Sequence, residues 1–129
     1  MTTLPAATVR RIVLAVLRVE RREAAVSVTF LGRVRMRALN RDHLGHDRPT
    51  DVISFALPAP DGGLVGDVYI CGAVAQAQAR RYGVPVRQEL VRLVVHGLLH
   101  VLGHDHPEGE ARVRSAMWKA QERYVRRLA

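Results

Sequence analysis

Cysteine, lysine and aromatic residues are nearly absent from this chain. Cys71 is the only thiol in 129 residues, which excludes an internal disulfide and a structural metal site built on several thiolates. A single free thiol favours a cytoplasmic location. Aromatics supply only 5% of the residues, so the core must rest on Val, Leu, Ala and Ile. No apolar run reaches the roughly 18–20 residues that span a bilayer. The opening Met1-Thr2-Thr3-Leu4-Pro5 has no basic stretch leading into an apolar one, so no signal peptide is expected. The length fits one domain, residues 1–129, with a real core. Lys119 is the only lysine, yet Lys+Arg number 20 against 12 Asp+Glu, a formal net charge of +8. The cations are therefore almost all arginine, whose planar fork suits bidentate contact with phosphate oxygens. Such a charge reads either as a nucleic-acid partner or as a surface charged for solubility.

Histidine is concentrated where other reactive residues are scarce. Four of the six histidines lie within His96-Gly97-Leu98-Leu99-His100-Val101-Leu102-Gly103-His104-Asp105-His106. His96 and His100, four apart, rise from one face of a helix and can close on one ion. Gly103 can end that helix in a left-handed conformation and turn the chain back, so that His106 supplies a third imidazole. Three imidazoles with a fourth position open describe a catalytic zinc site rather than a structural one. Polar residues on a solvated face are the alternative, and the surrounding residues argue against it. Leu90, Val91, Leu93, Val94, Val95, Leu98, Leu99, Val101 and Leu102 cover most of the helix, leaving Arg92, His96, His100 and Gly103 on one stripe. A helix that apolar is buried, and imidazoles on its only polar stripe need partners. His104 is expected outside the ligand set, exposed or supporting it.

The spacing matches the long zinc-protease motif H-E-x-x-H-x-x-G-x-x-H except at one position. Where a peptidase carries its glutamate base, this chain has Gly97. Peptide hydrolysis is therefore a poor first reading.

Along the chain, Thr8 to about Arg22 reads as an amphipathic helix and Ala25–Leu31 as a strand. A short helix over Arg33–Leu39 is followed by a polar loop, Asn40–Pro49, holding His43 and His46. Thr50–Ala56 and Leu64–Cys71 form a hairpin around the turn signal Pro60-Asp61-Gly62-Gly63. Gly72 to Tyr82 is a helix, Gly83-Val84-Pro85 a break, Val86 to Leu102 the histidine helix, and Gly109 to Leu128 a last helix. This order gives an α+β fold, a small mixed β-sheet covered by helices, with the buried histidine-bearing helix forming a zincin-like metal site.

The string His96-Gly97-x-Leu99-His100-x-x-Gly103-x-Asp105-His106 resembles the signature of the YbeY family, bacterial metal-dependent endoribonucleases of ribosomal RNA maturation. Leu39-Asn40, Asp47-x-Pro49-Thr50-Asp51-Val52-Ile53-Ser54-Phe55, Gly66-Asp67-Val68-x-Ile70 and Glu89-Leu90 resemble its further motifs, in family order from about Val26 onward. The resemblance implies zinc on His96, His100 and His106, one ion per chain or another transition metal in its place, and single-stranded RNA as substrate. It also implies 3′-end trimming of small-subunit ribosomal RNA and a part in ribosome quality control. Two departures stand out. Family members usually open with a strand before the first helix, so the sheet here is expected to lack an edge strand. The family's loop arginine, which contacts RNA phosphate, falls at Leu44, leaving Arg41 or Arg48 as substitutes; Arg48, beside Pro49 with its restricted backbone, is preferred.

Three imidazoles around zinc can lower the pKa of its water to about 7 and polarise a phosphoryl oxygen. Activation of a ribose 2′-OH or stabilisation of the leaving oxygen is equally open. Asp105 either orients a histidine through its free ring N–H or acts as a turn residue after Gly103. Asp51 and Asp67 either border the cleft or fix loops, and Thr50 and Ser54 read as structural. Two other classes of function remain. One is a metallohydrolase of another bond, including peptide or amide. The other is a non-catalytic ribosome-associated protein whose metal holds the fold.

Overall fold

A computed structural model describes every residue except Pro107, and the side chain of residue 110 lies outside the description as well. The chain runs α1 (Ala6–Glu20), β1 (Ala25–Leu31), α2 (Arg33–Leu44), β2 (Val52–Pro58), β3 (Leu64–Cys71), α3 (Gly72–Tyr82), α4 (Val86–Val101), a 3-10 helix (Gly109–Arg114) and α5 (Ala116–Leu128). The fold is α+β. Its three strands lie in the order β1-β3-β2, with β1 parallel and β2 antiparallel to β3, so the sheet is mixed. The hairpin is present, and β1 is left at an edge.

Alternation along the strands separates two apolar clusters. Val26, Val28 and Phe30 of β1, with Val68 and Ile70 of β3, join the main core with α4. Leu31, Ile53 and Cys71 close with Met36 of α2 on the other side. Helix α4 occupies the centre: residues 93–95, 97–99 and 101 are all buried, as the nearly continuous apolar circumference requires. It packs against α1, α3, α5 and the two strands of the hairpin.

The approach of α4 to the sheet is set by two glycines facing large side chains. A Cβ on Gly97 would stand 2.5 Å from Val68 Cγ1, and one on Gly66 would collide with Val101. Each glycine thus receives a valine from the opposite element. The position that carries a peptidase's glutamate is, in this chain, filled by the sheet.

Several boundaries differ from the sequence reading; α1, for one, runs Ala6–Glu20, two residues earlier at each end than the expected Thr8 to about Arg22. Helix α2 continues five residues past Leu39 to Leu44 and ends at Gly45, whose φ of 75° is left-handed. Arg41 therefore sits on a helix and pairs with Asp42 at 2.9 Å, instead of sharing a loop with Arg48. The last helix is divided: the 3-10 helix ends at Arg114, and Ser115 starts α5 by accepting a hydrogen bond from the Trp118 N–H at 3.1 Å. Strand β2 begins at Val52, two residues after the predicted Thr50.

Candidate metal centre

His96 and His100 project from consecutive turns of α4. The helix then stops: Gly103 adopts φ 96°, while the Gly103 N–H donates to His100 O at 3.0 Å and the His104 N–H to Leu99 O at 2.9 Å. This reversal brings His106 back. The three rings form a nearly equilateral triangle, with centroids 4.7 Å apart for His96–His100, 5.0 Å for His100–His106 and 5.2 Å for His96–His106. One nitrogen from each ring lies within 4.8 Å of the others, close enough for the three to bind one metal ion. Tetrahedral zinc with Zn–N of about 2.0–2.1 Å needs nitrogens about 3.4 Å apart, so modest side-chain rotation brings the set to ligand geometry.

The donor chemistry fits a metal. His96 is buried, with 8% of its surface exposed. Burial, reinforced by the charges of its neighbours, pushes its pKa down to about 4 despite the hydrogen bond that His96 donates to Gln121, which acts the other way. His100 is lowered too, by burial first and by the His106 charge second. Both rings are therefore neutral near pH 7, the state a metal requires.

A polar network fixes the His96 tautomer. Arg92 grips Glu122 through Nε at 2.9 Å and Nη2 at 3.0 Å, and its Nη1 reaches Glu89 at 3.1 Å. Glu122 in turn accepts from Gln121 Nε2 at 3.0 Å, which leaves Gln121 Oε1 facing His96 Nδ1 at 2.7 Å. An amide oxygen only accepts, so Nδ1 carries the proton and Nε2 keeps its lone pair for a metal. Sequence reasoning placed Arg92 on the histidine stripe but missed Gln121 and Glu122. They lie 25 residues or more from His96 and have no distinctive type or spacing.

The remaining predicted residues are distributed around this centre. Asp105 is exposed, and its Oδ1 accepts from the His106 N–H at 2.8 Å, so it fixes the backbone of the third histidine. His104 stands outside the triad and bonds Glu20 at 2.6 Å, with Tyr124 holding the other oxygen of Glu20 at 2.6 Å. Asp51 bonds the Val52 N–H at 2.8 Å and Gln78 at 3.2 Å, and it lines the same cavity as His96. Asp67 accepts from Ser27 at 2.6 Å across β1–β3 and serves the sheet. Arg48 is exposed; its carbonyl accepts from buried Asn40 at 2.8 Å, and the neighbouring Asp47 is clamped by Arg37 at 2.8 and 3.0 Å. The loop that carries Arg48 is thus held at both residues. His43 packs edge-on against Phe55, away from the triad.

The family model described as endoribonuclease YbeY matches residues 3–129. The chain belongs to this family. Among its YbeY relatives, a protein named endoribonuclease YbeY from Desulfitobacterium hafniense is 48% identical over 99 residues, covering 69% of this chain and 63% of that protein. One of the same name from Geobacillus thermodenitrificans is 42% identical over 117 residues, covering 81% and 73%. A solution structure of a protein from Thermotoga maritima superposes with a TM-score of 0.67 at 28% identity, covering 95% of this chain and 79% of that one. The chain spans less than two thirds of the length of several curated relatives, 63%, 58% and 54% in three of them.

Proposed function

We propose that residues 1–129 form a single metal-dependent endoribonuclease domain that cleaves single-stranded RNA. The observation that carries this reading is the convergence of His96, His100 and His106 beside a cavity, in a chain of the YbeY family. In this reading the three histidines hold one zinc ion per chain, or a similar transition metal. Such an ion supplies a Lewis acid for a phosphoryl oxygen and makes water more acidic at neutral pH.

The chain's own residues supply the rest. Gln121 keeps His96 in its ligand tautomer, and Asp105 fixes the backbone of His106. Arg48 presents a cation to an RNA phosphate from a loop anchored by Asn40, in place of the arginine that the family carries at the position of Leu44. The net charge of +8 draws the polyanion to the surface. Peptide hydrolysis loses support, since the Gly97 position packs against Val68 and offers no carboxylate to act as base.

By family, the substrate is the 3′ end of small-subunit ribosomal RNA, processed in the cytoplasm, with a share in ribosome quality control. No helix of the described residues is long and apolar enough to cross a membrane. The test is incubation of the purified chain with single-stranded and duplex RNA, in parallel with His100→Ala. Cleavage of the single strand by the wild type alone is expected. A folded, metal-loaded wild type that cuts neither RNA overturns the proposal.

A further inference from the structure

The cavity beside His96 has a volume of about 490 Å³, within the range that accommodates small ligands. Its walls carry acidic side chains, and each is already engaged. Glu89 and Glu122 are both bonded by Arg92, and Asp51 is bonded by Gln78 and the Val52 N–H. Arg92 is likewise neutralised by its two glutamates. Arg112 differs. Its guanidinium lies over the Trp118 ring, 5.4 Å from the centroid. Among the described residues it forms no ion pair, and its Nε is buried without a hydrogen-bond partner.

A buried N–H that finds no acceptor among the described residues is costly unless something completes it, and beside a guanidinium an anion suits that place best. Arg112 and His96 line the same cavity. A partly buried wall strengthens a charge-assisted bond made there relative to one on an open surface.

We propose that Arg112, stacked on Trp118 in the cavity that His96 also lines, is a phosphate-binding residue for the nucleotide next to the scissile bond. The inference rests on the endoribonuclease reading for the identity of its ligand, and on the cavity alone for the presence of an anion subsite. Arg112 binds and positions substrate from the 3-10 helix, on the α5 side of the centre, whereas Arg48 belongs to the loop before β2.

Trp118 is the only tryptophan, so its fluorescence reports events at the guanidinium above it. The experiment titrates the metal-loaded chain with a short labelled single-stranded oligodeoxyribonucleotide, which offers the same phosphates without the ribose 2′-OH. Affinity is read by anisotropy of the label and location by Trp118 emission, with inorganic phosphate as competitor. Arg112→Gln should weaken binding about ten- to a hundredfold, the loss expected for one charge-assisted contact. Arg112→Lys should fall between, and Arg114→Gln, which removes a neighbouring exposed charge, should bind as the wild type does. Circular dichroism and metal stoichiometry check that each variant folds. Binding of the wild type that leaves Trp118 emission unchanged overturns the proposal even if Arg112→Gln does not fold. So does a folded Arg112→Gln that binds as tightly as the wild type. The binding assay is independent of cleavage. A chain that binds through Arg112 but cuts no RNA keeps the anion subsite and retires the endoribonuclease reading. A chain that cuts RNA and is indifferent to Arg112 does the reverse.

Discussion

His96 has only one ring nitrogen to offer a metal, because the other is committed to Gln121. Removing that partner by Gln121→Leu should lower metal affinity by about 10–100-fold, the usual cost of losing a hydrogen-bond partner behind a ligand. Competition with a chromophoric chelator would measure it, and unchanged affinity would mean that the 2.7 Å contact does not orient the ring. Arg48 is testable at the same scale. If it replaces the loop arginine, Arg48→Ala should reduce RNA cleavage about ten- to a hundredfold, equivalent to roughly 1.5–3 kcal/mol, with metal content unchanged. Leu44→Arg should restore part of the loss. Wild-type cleavage by Arg48→Ala would remove it from the site. The triad residues were legible in the sequence because helix geometry makes a spacing of four a spatial statement, and a glycine near a helix end marks a turn. Gln121 and Arg112 were not, since their closeness to His96 depends on how α5 and the preceding 3-10 helix pack against α4.

Between elements, the contact of α4 with the sheet is the tightest constraint. Gly97→Ala gains helix propensity of about 0.8–1.0 kcal/mol, but its Cβ meets Val68 Cγ1 at 2.5 Å, and overpacking costs about 1–3 kcal/mol. Overpacking should win. The variant is expected to unfold at lower denaturant concentration, and a higher midpoint would show that the helix can shift without penalty. The same scale shows where sequence patterns mislead. Arg41-Asp42-His43 looks like loop by polarity, yet an exposed helix face is polar as well, and α2 ends only where Gly45 permits a left-handed residue. Charges run evenly from Gly109 to Leu128 and read as one helix, although Ser115 carried the cap signal that divides it. The α4 and β3 boundaries were readable to within a residue because continuous apolar runs and flanking Gly and Pro leave little choice.

For the molecule as a whole, a net charge of +8 makes salt the natural probe. If arginines neutralise RNA phosphates, affinity for single-stranded RNA should fall steeply and linearly in log–log form as salt rises, through counterion release. A flat dependence between low and physiological salt would assign the charge to another purpose.

The central claim is that one metal ion on His96, His100 and His106 makes this fold an RNA-cleaving enzyme. The most direct test strips the metal, restores it in steps, and measures bound metal per chain together with cleavage of single-stranded RNA. The account predicts that cleavage rises in proportion to occupancy and saturates near one ion per chain, with His96→Ala binding weakly and cutting nothing. Full metal content in a His96/His100 double variant, or cleavage that persists in the stripped wild type, would contradict it.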